Sequence, residues 1–457
     1  MITKQHGLDL TEGKISTLLL RFATPFVLAN LTNALHGMFA MIIVGQFTDA
    51  ATIAGVATGT QIMHLSFPIV MGLATGGTVI IGRSMGERNS EAGTRATGTF
   101  FAITGMLTVL ITLLLLFLRA PLLTALGTQE DMWESANRFV MISALGVPFT
   151  AGFAMFGAVF RGIGNSKAPS IAAAISAGVN IALSFLLTGV LGMAETGVAL
   201  ATVTANFVSC AILLVWLYKR KLPYPFAPRK DVRLDSAYSK YITIVGLPLV
   251  MQDIFITISF MIITNRVNNI STEAAASVGV VARAFMVAFV IPAGIGQAVS
   301  AMTAQNLGAN MRDRAISSLR WGIIYALMIS TVIFAICMIT PETVTRIFSN
   351  DEVVISGAAS YLRTFSADAL MVSFVFCMNA YFSGCGKTNI AMVHSLISTF
   401  AIRVPLSIYF AGLQGLDMNT QLSYLGIAAP SASMLSLVIC SVYLVMQGRK
   451  YRASLAQ

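Results

Sequence analysis

The sequence predicts an all-α integral membrane protein whose 12 transmembrane helices form two parallel six-helix repeats. Three observations carry this. First, 56% of the 457 residues are hydrophobic and 11% charged, with a mean hydropathy of +0.79; that leaves too little polar surface to cover a soluble globule, so the solvent is a bilayer. Second, apolar runs long enough to cross a hydrocarbon core about 30 Å thick recur along the whole chain. Third, the chain matches itself at one shift. Moving residues 72–86 forward by 222 positions lands on 294–308 with the glycines at both ends coinciding, and the same shift carries Phe160-Arg161-Gly162-Ile163-Gly164 onto Phe382-Ser383-Gly384-Cys385-Gly386. Two unrelated segments would rarely share one offset, so one unit occurs twice.

The first six spans are predicted near 18–44, 53–82, 96–118, 139–160, 168–191 and 197–218, the second six near 241–265, 274–304, 315–340, 358–382, 389–412 and 425–446. The polar first 17 residues, followed by a run too long for a signal-peptide core, suggest no cleavable signal. The prolines Pro25, Pro68, Pro148, Pro248, Pro292 and Pro405 fall within spans, where they are expected to supply bends, either as fixed kinks or as points of flexure. Between spans 6 and 7 lies a basic, proline-containing stretch that reads as a surface connector with no domain of its own. The expected division is an N-terminal lobe over 1–218, a cytoplasmic linker over 219–240 and a C-terminal lobe over 241–457. An even number of spans per half makes the halves parallel, related by an axis along the membrane normal.

Charge sets the orientation, because cytoplasmic loops collect Lys and Arg. With the N-terminus inside, 22 of the 29 basic residues fall in cytoplasmic segments and five outside, while the acidic residues divide seven inside and ten outside. Both termini are therefore expected in the cytoplasm, with the chain multi-pass in a bacterial inner (plasma) membrane. The formal net charge of +10 is spread over alternate loops with no single basic face, so no nucleic acid is expected as a partner. The five cysteines have no metal-type spacing and read as free thiols.

Enzyme motifs are missing, and no enzyme activity, cofactor or bound metal is expected. The Gly-Lys-Thr ending at Thr388 resembles part of a phosphate-binding loop, but position 381, where the leading glycine belongs, is Tyr381. Its twin, Gly162-Ile-Gly-Asn-Ser166, lacks the Gly-Lys pair.

A charge at the bilayer centre costs on the order of 3 kcal/mol or more, so ionisable residues inside spans need a reason. Four occur, all in the second half: Asp253 in span 7, Arg283 in span 8, Asp368 in span 10 and Arg403 in span 11. Thr257 lies one turn from Asp253 on the same face. Two readings stand side by side. The four are structural ion pairs, or Asp253 and Asp368 are sites for a coupling cation, H⁺ or Na⁺, with Arg283 and Arg403 as charge partners. His36, His64 and His394 also fall in spans and are candidates for proton relay. With Gln252 and Thr257, His36 and His64 are candidate relay or cavity-lining residues. The 24 methionines and 28 phenylalanines would suit an adaptable apolar cavity, although most are expected to pack or face lipid.

With these features in place, the chain resembles the multidrug and toxic compound extrusion (MATE) transporters. The resemblance rests on two six-span repeats, Ala23-Thr-Pro25 and Val44-Gly45 of span 1, the glycine-rich span 2 running into Gly82-Arg-Ser-Met-Gly86, and Gly246-Leu-Pro248 opening span 7. It covers nearly the whole chain. It implies a V-shaped pair of six-helix lobes around a central cavity. It also implies export of amphipathic, often cationic small molecules in exchange for H⁺ or Na⁺; alternating access by a monomer is the expected mode of work. The alternatives are a flippase for a lipid-linked precursor and a dedicated exporter of one natural product. Many members carry an aspartate five residues before the Val-Gly glycine, where this chain has Ala40, and some an Asn-x-x-x-Asp pair in span 5, where it has Asn180 but Ser184. The first-lobe cation site therefore does not carry over, and Asn180 remains only as a candidate relay or cavity residue. Second-lobe acids of another branch fall in spans 7 and 10, as Asp253 and Asp368 do.

Overall fold

The computed structural model describes residues 7–413 and 415–455. Among them every regular element is helical: α1 (Ile15–Phe47), α2 (Ala50–His64), α3 (Phe67–Gly86), α4 (Ser90–Ala125), α5 (Glu130–Gly162), α6 (Lys167–Ser184), α7 (Ala194–Arg220), α8 (Pro228–Asp231), α9 (Ser236–Asn268), α10 (Thr272–Gly308), α11 (Arg312–Ile339), α12 (Pro341–Arg346), α13 (Glu352–Phe365), α14 (Asp368–Gly384), α15 (Thr388–Ser398), α16 (Val404–Ala411) and α17 (Met418–Leu455). Two short π-helical stretches, Phe185–Val190 after α6 and Thr399–Arg403 between α15 and α16, fall in the fifth span of each repeat. Eleven helical segments among the described residues are long and apolar enough to cross a membrane, and the bent pair α13–α14 makes a twelfth. In lipid the backbone must bond to itself, which is why helices alone carry the spans.

Two spans are interrupted, one at a short turn and one at a bend. Span 2 divides into α2 and α3 around Leu65 and Ser66. Pro68 causes this, because its ring clashes with the carbonyl four residues earlier and it has no N–H to donate; Ser66 Oγ instead donates to Met63 O at 2.7 Å. Span 10 bends by 50° between α13 and α14. No proline is present there; Ser366 is fully buried and its Oγ donates back to Arg363 O at 3.0 Å, a local bond that competes with the helix.

By contacts the chain forms two compact units. The first comprises Met1–Val250, Ser300–Ile316 and Gly384–Gly386, the second Met251–Val299, Ser317–Ser383 and Lys387–Gln457. The first unit thus holds all of the first repeat together with the start of α9, the end of α10 and the start of α11. Its main core gathers Ile81, Phe100, Val140, Ala144, Phe160 and Leu213. A second cluster joins Val79 of the first repeat to Val245 and Ala304 of the second. The second unit packs around Val281, Phe285, Leu362, Phe365 and Leu422.

Within the first unit α3 crosses α10 at backbone distance. A Cβ on Gly86 would overlap the carbonyl oxygen of Gln305, and one on Gly308 would overlap that of Arg83. Arg83 and Gln305, like Gly86 and Gly308, are 222 positions apart. The contact is therefore made twice by equivalent residues, as a two-fold axis requires.

The stretch joining the repeats is pinned to the basic end of α4. Tyr224 is buried with its hydroxyl 2.6 Å from Thr97 Oγ1. Phe226 meets Phe101 edge-on at 5.6 Å, and Thr94 Oγ1 donates to Pro225 O at 2.6 Å. Arg95 pairs with Asp235 and holds that carboxyl below its usual range, whereas burial pushes the Tyr224 hydroxyl up.

Candidate functional site

The second unit holds both intramembrane acids. Asp253 lies in α9, about 26 Å from the helix start at 1.5 Å per residue and so near mid-span. Its side chain is exposed, and no hydrogen bond or ion pair among the described residues engages its carboxylate. Its backbone carbonyl accepts the Thr257 hydroxyl at 2.9 Å. That bond leaves Thr257, which is also exposed, beside the carboxylate on one face of the helix. Gln252, the preceding residue, is buried.

Asp368 is different: it is 4% exposed and stands in the first turn of α14, just past the 50° bend. The bend matters because a helix start presents free N–H groups and the positive end of the macrodipole, which favour a carboxylate there. Its Oδ1 has no hydrogen-bond partner among the described residues. The Ser433 hydroxyl of α17 lies beside the carboxyl, and Arg403 acts on it as a charge. Tyr361 of α13 lies near both Arg403 and Asp368.

Arg403 closes the π stretch before α16. Its guanidinium sits 4.1 Å from the ring centroid of Phe260 in α9, and its Nε is buried without a hydrogen-bond partner. Phe255 of α9 also meets Phe400 of the π stretch at 6.0 Å. Asp253 and Phe260 are seven residues apart, two turns along one helix face. The helix that carries one acid therefore touches, through its aromatic rings, the segment that carries the other acid's nearby cation.

The ion pairs among the described residues, all with N–O contacts within 4.0 Å, include none of Asp253, Asp368, Arg283 and Arg403. Arg283, in α10, is exposed. The structure thus gathers Asp368 and Arg403 and leaves Asp253 and Arg283 unpaired on the surface of their helices.

The other candidates are dispersed. His36 falls on α1, but its side chain lies outside the described residues. His64 ends α2, exposed at the break in span 2. Asn180 is buried in α6, where Nδ2 donates to Thr202 Oγ1 at 3.2 Å and Oδ1 accepts from Ser184 Oγ at 3.4 Å. The serine that stands where some resembling proteins carry an aspartate is therefore a neutral partner of Asn180. His394 is buried in α15 with Nε2 2.6 Å from Asn379 Oδ1 and Nδ1 unpartnered.

Three neighbours escaped the sequence reading: Phe260, Tyr361 and Ser433. Phe260 was within reach, since heptad spacing from Asp253 places it on the same face. Tyr361 and Ser433 come from helices remote in sequence, and no local signal marks them.

A family model described as MatE matches residues 25–186 and again 248–409. The chain is 24% identical to a "Probable multidrug resistance protein YoeA" of Bacillus subtilis, over 92% of this chain and 92% of that one. It is 25% identical to a "Probable multidrug resistance protein NorM" of Thermotoga maritima, over 85% of this chain and 84% of the other. A solved structure described as a crystal structure of MATE in the straight conformation superposes with a TM-score of 0.91 at 20% identity, covering 98% of this chain and 99% of that one.

Proposed function

The chain belongs to the MatE family, and from that premise we propose that it is a secondary-active exporter of amphipathic, cationic small molecules, driven by inward movement of H⁺ or Na⁺. It is a transporter with no catalytic chemistry of its own. It works as a monomer of two lobes, 1–218 and 241–457, joined by the linker 219–240, in a bacterial plasma membrane with both termini in the cytoplasm. Asp253 and Asp368 take up the coupling cation, and Arg403 and Arg283 set the charge balance around them.

One observation carries this reading: two carboxylates at membrane depth in one unit, neither in contact with a guanidinium. A permanent ion pair would have its charges in contact, and an isolated carboxylate in hydrocarbon is costly. Exposed at mid-span, Asp253 is tenable where water reaches it. Asp368, buried with an unbonded oxygen, is tenable when neutralised by a proton or a cation. Each therefore has a use for a mobile positive charge. Binding of that charge biases the equilibrium between inward-open and outward-open forms, and cargo that prefers one form is carried across as the gradient is spent.

Efflux from proteoliposomes under an imposed pH or Na⁺ gradient tests it. Asp253→Asn and Asp368→Asn are each expected to lower gradient-driven export at least tenfold with protein yield preserved. Full export by both variants would refute the assignment of the coupling site.

A further inference from the structure

The segment ahead of the first span is threaded between the two repeats at the basic end of the first unit. Leu8 N donates to Gly164 O at 3.0 Å. Gly7 and Gly164 make that approach feasible: a Cβ on Gly7 would come within 2.6 Å of Ile163 O, one on Gly164 would overlap Leu8 O, and Gly164 holds φ +85°. Asp9 Oδ1 then accepts from Thr11 N at 2.9 Å, a short turn that drives Leu10 inward until its side chain is fully buried.

At Leu10 the segment meets the second repeat. Leu10 N donates to Gln305 Oε1 at 3.3 Å, and Asn306 Nδ2 donates to Leu10 O at 3.1 Å. Gln305 also reaches the first repeat, its Nε2 donating to Gly162 O at 2.7 Å. Arg314 completes the set, with Nε on Asn306 Oδ1 at 3.2 Å and Nη1 on Gly13 O at 3.0 Å. Glu12 pairs with Arg88 of the first repeat at 3.4 Å. Gln305 and Asn306 are buried amides on α10. They lie beside Gly308, where α3 and α10 cross, and their bonding capacity is met in part by this segment.

We infer that residues 8–13 form a latch that holds the basic ends of the two repeats together. This rests on the alternating-access reading, because opening on that side requires α3 and α10 to part at Gly86 and Gly308. Gln305 cannot keep both Gly162 and Leu10 while the helices separate. The latch is continuous with α1 of the first repeat, so releasing Gln305, Asn306 and Arg314 is the step that frees the second. Leu10 provides the apolar anchor, and the two amides fix its register, since a buried amide left unbonded disfavours the vacated state.

Two measurements on the full chain in proteoliposomes, in a background with the native cysteines replaced, decide the matter. In the first, a cysteine at Ala304, fully buried beside the crossing, is labelled with a membrane-impermeant maleimide from the basic side. Leu10→Asp, and separately the milder Leu10→Ala, are expected to speed labelling by about tenfold; unchanged rates in both would overturn the latch. In the second, Lys14→Cys and Arg314→Cys are joined by a short reducible crosslinker. Export is expected to fall below about a tenth of the unlinked rate and to return on reduction, and a linked protein that exports at full rate would overturn the latch. Labelling is read without transport, so a chain that exports nothing fails the functional proposal and still tests the latch.

Discussion

Asp253 and Asp368 show how environment separates two identical side chains. The first is exposed midway along α9 and the second is buried in the first turn of α14, so only Asp368 depends on its neighbours for polarity. Phe260 is the neighbour that holds Arg403. With its ring 4.1 Å from the Arg403 guanidinium, it holds a cation that would otherwise be drawn to the nearby carboxyl; in dry surroundings such a contact is worth up to about 2 kcal/mol. Phe260→Leu is expected to lower gradient-driven export several-fold, and Phe260→Tyr, which keeps the ring, to leave it near the parent. Initial efflux rates at matched protein amounts check this. The two acids were legible in the sequence because a charge in an apolar run declares its own cost. Arg403 was named with them, but Tyr361 and Ser433 were not, because they come from helices remote in sequence and meet Asp368 only in the fold.

Among the elements, the apolar runs located every span, although the helices overrun them by up to nine residues, as at Glu130 and Leu455, and the repeat offset located their partners. The breaks were half legible. Pro68 announces the division of span 2, while the bend in span 10 rests on Ser366, a residue that most helices tolerate. The crossing of α3 and α10 was written in the coincident glycines but could be read only as a repeat, since nothing local says that Gly86 faces Gln305. Gly86→Ala places a Cβ against backbone that cannot yield without moving a helix, and is expected to cost about 1–3 kcal/mol. Gly105→Ala, in α4 with nothing within 4 Å of the added carbon, is expected to be neutral or to stabilise by up to about 1 kcal/mol. Midpoints of thermal unfolding in detergent compare them. The linker is tighter than its prolines suggest: Tyr224 and the Arg95–Asp235 pair tie it to α4. Because Asp235 titrates below its ordinary value, its contribution is complete above the usual carboxylate range and is lost as the pH falls through the lowered value.

For the whole molecule, composition and charge bias carried most of the reading, because a bilayer imposes length, polarity and sidedness on any chain that crosses it. The division of loop charge predicts that a cysteine placed at Arg312 is labelled by an impermeant reagent only after the cytoplasmic face is opened, and one placed at Arg346 is labelled in intact cells. The opposite pattern would reverse the orientation and with it the side on which the latch acts. The division into two contact units had no counterpart in sequence, because it depends on which ends of the long helices pack together.

The paired glycine contact also has a history. An interface in which each partner offers the same residues to the other is what two copies of one polypeptide make when they associate. A half-length ancestor would have closed Gly86 against its twin's backbone as a homodimer, and gene fusion would have turned that association into an intramolecular joint. Since then each side has been free to diverge wherever the other tolerates it, which is how arginine at position 83 came to correspond to glutamine at position 305.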